Sequence, residues 1–485
     1  MLLEKLKYNF EKYKNNIAFC IEEVNYTYAD FYRKIAAIQQ KFNYLKIKPN
    51  DIVIVKTYND IETYASIFAI WFYGATFVPI NPTHPKKRNT LILKQIESKI
   101  IISSNPIDKE AISTKELEYL DQEIILNKFE DQHIMYILFT SGSTGIPKGV
   151  PISLNNITAF ITDFSNEFTL NSRDKFLQIY DLTFDASIHC YLLPLFLGAC
   201  VYTVSPKKVK YLEAYKLMDK HEITFAKFPP SVLSYLKPFF NKIKLPKLKY
   251  SLLGGEGLDF ELVKLWQTCV KHTQIYNVYG PTEATVNSHI FNVSENLNSN
   301  KTYNGIVCIG KPFGNNKAII VDKNNNTVLV NTKGELCLLG NQITNGYYKN
   351  KSKNESSFFI KNNMRFYKTG DLAYIDDGGD FIYCGRIDNQ VQIQGYRVEL
   401  SEIENIAKKT NKALNFSVVS KKNKYGVNEL FLFSENLKID NSTLQTYLKQ
   451  NLPSYMLPKK IINLLKFPMT SSGKVDRQSL ISKHL

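Results

Sequence analysis

The sequence predicts an α/β protein: a large N-terminal domain of layered sheets and helices over residues 1–386, then a small α+β domain over 387–485. Three observations predict it. The chain, at 485 residues, is too long for one ordinary core. Its first part alternates amphipathic stretches with short β-rich runs, the pattern of a layered α/β domain. After GRID, Gly385 to Asp388, the text starts afresh with its own helices and strands.

The elements follow in order. FYRKIAAIQQKFNYL has helical spacing, whereas DIVIVKTY, TFVPINP and KIIISS read as strands. IMYILFT is a buried strand that runs into a glycine-rich loop, and CVYTV, ITFAKF, YSLLGG and QIYNVY are further strands separated by helical patterns. From about residue 303 to 385 the text is β-rich, with AIIVD, GELCLLG and GDFIYCG. The last segment carries helices at SEIENIAKK and STLQTYLKQNL and strands at FSVVSK and ELFLFS.

Composition excludes several classes. A hydrophobic fraction of 44% is that of a packed globular protein. No apolar run approaches the length of a bilayer span, and the charged start MLLEKLKYNFEKYKNN is no signal peptide, so a cytoplasmic protein without a membrane partner is expected. The seven cysteines are dispersed without a C-x-x-C pair, which argues for free thiols rather than disulfides or zinc. A net charge of +16 invites nucleic acid, but lysine is spread throughout, so no dedicated nucleic-acid site is expected. One denser basic segment holds Lys408, Lys409, Lys412, Lys421, Lys422 and Lys424.

FTSGSTGIPKGV, residues 139–150, combines glycine, hydroxyl and lysine as phosphate loops do. It is not the G-x-x-x-x-G-K-[ST] loop of the P-loop NTPases, because Lys148 is followed by Gly149 rather than by a hydroxyl. Its backbone N–H groups and the hydroxyls of Thr140, Ser141, Ser143 and Thr144 can still form an anion-binding nest.

The string resembles the signature of the adenylate-forming (AMP-binding) superfamily, and other strings recur in that family's order. These are YTYADF, WFYGATFVPINPTHPKK, NVYGPTEATV, GELCLLG, YKTGD, GRIDNQVQIQGYRVELSEIE and SSGKVDR. They are most similar to the amino-acid adenylation domains of nonribosomal peptide synthetases and to stand-alone D-alanine–carrier protein ligases. The resemblance implies ATP and Mg2+ as cofactors and two half-reactions: a carboxylic acid becomes an acyl-AMP, then a thiol takes the acyl group. It implies that Thr140, Ser141, Gly142, Ser143, Thr144, Gly145 and Lys148 hold the β- and γ-phosphates. Tyr279 stacks on adenine, Thr282 touches the α-phosphate, and Glu283 helps to hold magnesium. Gly254, Gly255 and Glu256 let backbone approach the purine; Asp371 binds the ribose hydroxyls and Arg386 reaches ribose or phosphate. Lys474 clamps the substrate carboxylate to the phosphate from the small domain, which turns about Asp388 and Asn389 so that Gly395 and Tyr396 line the thiol tunnel. The chain departs from the family at Asn345, where arginine is usual, and at Gln392 and Gln394, where a basic pair is common.

In YDLTFDASIHC the resemblance places Asp185 on the α-ammonium of an amino acid; read alone, it could be a helix cap. His189 lies one helical turn later, on the same face. The other pocket positions fall on Ala186, Lys227, Leu252, Gly254, Val278, Val286 and Asn287. Lys227, in the apolar ITFAKFPP, wants a carboxylate partner or loses its proton. An acidic substrate, aspartate or glutamate, would satisfy it; otherwise it snorkels outward or pairs with a protein carboxylate, and alanine is the second substrate choice. With no carrier domain after Arg477, the acceptor is expected in trans: an acidic carrier protein with a phosphopantetheine arm, meeting Lys408–Lys424. Two other readings are an acyl-CoA ligase, disfavoured by Asp185, and a non-catalytic ATP-binding relative.

Overall fold

A computed structural model describes the whole chain except Met1, Leu120, Ser143, Asn300, Lys412, residues 436–439 and residues 471–474. The large N-terminal domain holds two principal sheets. One has nine strands in the order Lys311–Pro312, His289–Asn292, Gln274–Tyr279, Tyr250–Gly254, Phe225–Phe228, Lys175–Gln178, Cys200–Thr203, Ile17–Ile21, Val24–Thr27. Its central strands, from Gln274–Tyr279 to Ile17–Ile21, are parallel, and antiparallel partners close both edges. The other has six, ordered Ile112–Ser113, Ile101–Ser103, Ile52–Lys56, Thr76–Ile80, Ile134–Thr140, Lys148–Ser153.

A helical layer joins the two sheets. Helix Ile61–Tyr73 is buried at every position and touches the strands Ile52–Lys56 and Thr76–Ile80. It also packs on helix Tyr28–Tyr44, which reaches the nine-stranded sheet. Such all-round burial explains why this helix reads apolar on every face. Asp60 caps its start through Thr63 N–H, and Gly74, at φ 83°, ends it in the left-handed region that glycine adopts freely.

A five-stranded antiparallel sheet, built from Lys317–Val321, Gly334–Leu339, Phe358–Lys361, Met364–Ile375 and Phe381–Arg386, follows in the chain, as the β-rich text predicts. The smaller C-terminal α+β domain has a hairpin, Gln390–Ile393 with Tyr396–Glu399, and helices Leu400–Lys408, Asn441–Asn451 and Arg477–His484. Its three-stranded sheet is Phe416–Lys422, Asn428–Ser434 and Lys460–Asn463. It has its own apolar cores, around Val398, Ile403 and Leu432 and around Val419, Phe433 and Leu480. All seven cysteines are free thiols, and no described helix is long and apolar enough to cross a membrane.

Candidate active site

Parallel strands expose their carboxyl ends in one row, and loops leaving that row enclose a crevice. Here Lys227, Gly254, Val278 and Tyr279 sit at or near the ends of three adjacent strands, and all line one cavity. Thr140 and Ser141 of the glycine-rich loop join them, with Asp185, Ala186, Gly255, Glu256, Thr282, Val286, Asn287, Asp371 and Arg386. Gly254 is required by close approach: a Cβ there would stand 2.3 Å from the Val278 carbonyl oxygen of the next strand.

The glycine-rich loop joins two antiparallel strands, Thr140 facing Lys148, whereas a P-loop would enter a helix. The Thr140 hydroxyl is buried and unpartnered, a donor waiting in the cavity wall. Lys148 is buried 3.7 Å from the Glu283 carboxylate and over the Tyr347 ring; burial and the nearby Arg397 cation push its ammonium down to about 8. Gly142, Thr144, Gly145 and Lys148 are not among the residues that line the cavity, and Ser143 falls outside the described residues.

At the opposite wall, Tyr279 donates its hydroxyl to Asp371 Oδ2 at 2.5 Å, and Arg386 Nη1 donates to Asp371 Oδ1 at 2.9 Å. Arg386 also grips Asp388, through Nε at 2.8 Å and Nη2 at 2.5 Å. The expected hinge, Asp388 with Asn389, is thus an exposed bend outside the cavity, tied to its rim by one arginine. The Glu256 carboxylate ties the two domains together, accepting from Ser231 N–H at 2.8 Å and from Gly395 N–H at 3.0 Å.

Glu283 is fully buried behind the cavity. Its carboxylate accepts from the Tyr347 hydroxyl at 2.6 Å and from Arg397 Nη1 at 3.1 Å. Burial alone would raise its pKa, but Arg397, Lys148 and Tyr347 outweigh that and hold it at about 2. No cluster of three or more metal-ligating side chains exists among the described residues. A single ionised carboxylate still fits magnesium, which takes few protein ligands and shares its other positions with phosphate and water.

Asp185 is the first residue of helix Asp185–Leu197, so it is not the cap expected from a purely local role, and Phe184 makes no side-chain cap either. Burial pushes its carboxyl up to about 6, against the pull of Lys227 and of the Thr282 hydroxyl. Lys227 does not snorkel outward. It is buried, donates to Asn287 Oδ1 at 3.2 Å and forms no ion pair with a protein carboxylate among the described residues. Burial lowers its ammonium to about 8.

His189 does not join them. Its ring is fully buried with Phe164 at 4.7 Å, Phe225 at 5.7 Å and Phe160 at 6.0 Å, and neither nitrogen has a partner. Burial, with Lys227 nearby, holds it neutral, well below the usual imidazole range. Leu252 likewise lies fully buried behind the lining.

Several residues of the site carry no sequence signal that singles them out. Arg88, Tyr180 and Phe184 line the cavity, with Arg397 and Tyr455 from the small domain; Gln392 and Gly395 of that domain, already singled out in the sequence, join them. Tyr396 stacks on Tyr455 at 4.1 Å, and Phe184 meets it edge-on at 4.6 Å. Arg88 directly follows THPKK and Arg397 lies within GYRVE, but nothing local marks which arginine turns inward. Lys474 falls outside the described residues; its neighbours Met469 and Val475 bridge one another, and neither lines the cavity.

Known proteins share this architecture. The chain is 29% identical over 488 residues to zwittermicin A synthase ZmaJ of Bacillus cereus, covering 96% of this chain and 92% of that protein. It is 29% identical over 479 residues to bacitracin synthase 2 of Bacillus licheniformis, covering 97% of this chain but only 18% of that much longer protein. The adenylation domain AlmE of Vibrio cholerae, solved in complex with glycyl-adenosine-5'-phosphate, has the same fold, with a TM-score of 0.89, 23% identity and coverage of 99% and 97% of the two chains. Residues 6–348, more than half of the chain, match the family described as AMP-binding enzyme, and the chain belongs to that family.

Proposed function

We propose that this protein uses ATP to activate an amino acid as its aminoacyl-AMP and then passes the aminoacyl group to the phosphopantetheine thiol of a carrier protein. The carrying observation is that Asp185, Lys227, Thr140, Ser141, Tyr279 and Asp371, distant in sequence, line one cavity. In the first half-reaction a carboxylate oxygen attacks the α-phosphorus and the bond to the β-phosphate breaks. Two anions must meet, so the site has to supply positive charge and fix the approach. Lys148 with the glycine-rich loop would hold the phosphates, Tyr279 the adenine and Asp371 the ribose. Lys474 would bridge the reacting groups. Glu283 would hold magnesium, whose charge offsets that of the phosphates when it is bound.

Asp185 would take the substrate ammonium. In the same lining, Lys227 has one bond from its ammonium and Asn287 Nδ2 has none, so two donors await an acceptor. An aspartate or glutamate side chain supplies it, and that is the substrate class we assign. His189, held neutral among phenylalanines, adds no charge to this recognition.

The small domain, from residue 387 on, would turn about Asp388 and Asn389 to bring Lys474 in for the first step and Gly395 with Tyr396 for the second. An adjoining groove shares Glu256, Arg386 and Gln392 with the cavity and is rimmed by Lys237, Lys422 and Lys424. This basic rim suits the phosphate of the arm and an acidic carrier. Amino-acid-dependent ATP–pyrophosphate exchange across L- and D-amino acids tests the reading. Exchange driven by aspartate or glutamate and lost in Lys474→Ala supports it; exchange driven by alanine keeps the chemistry and removes the acidic substrate; silence across the panel removes amino-acid activation.

A further inference from the structure

The loop that carries part of the amino-acid wall is strained, and the strain is held from outside the cavity. Val286 and Asn287 of this loop line the cavity, yet Thr285 and Val286 take positive φ, 51° and 73°. Side chains branched at Cβ rarely adopt that region, because Cβ crowds the neighbouring peptide oxygen. Asn287 N–H also donates back to the Thr285 carbonyl at 3.0 Å, closing a three-residue γ-turn around Val286, a kind that is strained at positive φ. Such a backbone persists only where its surroundings over-determine it.

Gln342 supplies those surroundings. It lies just past the strand Gly334–Leu339 of the five-stranded sheet, is buried, and is not part of the cavity lining. Its Nε2 donates to three carbonyls of the loop: Asn287 at 2.7 Å, Ala284 at 3.2 Å and Thr285 at 3.4 Å. In return the Thr285 hydroxyl donates to the Gln342 carbonyl at 2.5 Å. Asn316 Nδ2 donates to Gln342 Oε1 at 2.5 Å, which fixes the end of the amide that faces the loop.

We propose that Gln342 is a positioning residue for amino-acid selection. By holding the Ala284, Thr285 and Asn287 carbonyls it fixes the strained turn, and the turn presents Val286 and the Asn287 side chain to the substrate. A loop relaxed to negative φ at Thr285 and Val286 would carry Asn287 Oδ1 away from the Lys227 ammonium, which now lies 3.2 Å from it. The nucleotide side of the same loop is held separately. The Glu283 carbonyl accepts from Thr344 N–H at 2.9 Å, and its carboxylate is held by Tyr347 and Arg397. Gln342 therefore acts on the amino acid more than on ATP. The inference rests on reading Lys227 and Asn287 as the site of the substrate side chain, and adds to it what keeps that site in shape.

The test compares the full chain with Gln342→Met, which has a similar length and no donors. ATP–pyrophosphate exchange is measured with aspartate, glutamate and alanine, and hydrogen exchange is followed by mass spectrometry over residues 282–290. KM for the acidic amino acid is expected to rise about ten-fold and its advantage over alanine to shrink by a similar factor, with KM for ATP within about two-fold. Faster hydrogen exchange is expected over 282–290 and not in the distant strands. A fall in kcat alone, an equal rise in both KM values, or unchanged hydrogen exchange over 282–290 overturns the proposal. Asn316→Ala frees the amide without touching the cavity lining, and a smaller shift in the same direction is expected. It decides the matter where Gln342→Met does not fold, since an unchanged KM for the acidic amino acid in Asn316→Ala then overturns the proposal. If the unaltered chain shows no exchange with any amino acid, the reading of the pocket falls, while hydrogen exchange still decides whether Gln342 holds the turn.

Discussion

Lys227 and Asn287 meet in the cavity lining, the ammonium donating to Oδ1 over 3.2 Å while Asn287 Nδ2 stays unpartnered. Lys227 comes from near the carboxyl end of a parallel strand and Asn287 from the turn that follows TEATV, so their meeting is not set by local sequence. A buried ammonium that feels the Asp185 carboxylate but has no contact ion pair is costly, and an occupant that supplies that pair offsets the cost. Lys227→Met is expected to lower kcat/KM for the acidic amino acid by about 100-fold, the equivalent of roughly 3 kcal/mol for a broken buried pair. Exchange driven by a neutral amino acid should not fall in the same variant. Steady-state exchange kinetics on both substrates checks this.

The same two charges set a pH profile. Asp185, pushed up to about 6, is neutral below that pH and loses the substrate ammonium. Lys227, lowered to about 8, is neutral above that pH and loses the side-chain carboxylate. The free enzyme's kcat/KM for an acidic amino acid should therefore rise through about 6 and fall through about 8. In Lys227→Met the fall above about 8 should shrink to what Lys148, lowered to about the same value, contributes, and the lower limb should remain, as a pH series of initial rates at saturating ATP would record.

Asp371 accepts from both Tyr279 and Arg386, so its two oxygens are oriented before any nucleotide arrives. Asp371→Asn keeps the size but cannot accept at both atoms. One or two hydrogen bonds to a charged group contribute about 1.5–3 kcal/mol, so KM for ATP should rise at least about tenfold. KM for the amino acid should change far less, which separates this from a folding defect.

Gly254→Ala places a methyl group 2.3 Å from the Val278 carbonyl oxygen, a backbone atom with nowhere to go. The two strands must part at the cavity floor. Such overpacking costs about 1–3 kcal/mol, and a lowered melting temperature together with lost exchange is expected. A variant that melts like the unaltered chain would show that the strands can separate freely there.

The layered α/β character and the C-terminal elements were legible because each is written in a local period: FYRKIAAIQQKFNYL in the helical one, and short β-branched runs such as DIVIVKTY in the strands. The glycine-rich loop was legible as an anion-binding nest from its residue types, whereas Tyr279 and Asp371 were singled out only through the resemblance of their strings to a known family. His189 shows where that stops. Four residues past Asp185 it shares a helix face, yet it lies about 6 Å further along the axis. There Phe160 and Phe164, from another helix, close over it.

By itself, then, the sequence determined the kind of elements, the family motifs and the residues able to handle phosphate, because these depend on neighbours within a few positions. Only the tertiary structure decided that Lys227 turns inward, that His189 is sealed off, and that Glu402 reaches Arg88 across 314 residues of chain to cover the glycine-rich loop. Those outcomes depend on which surfaces bury one another and on how each buried charge finds its partner, and a linear string does not carry that distance.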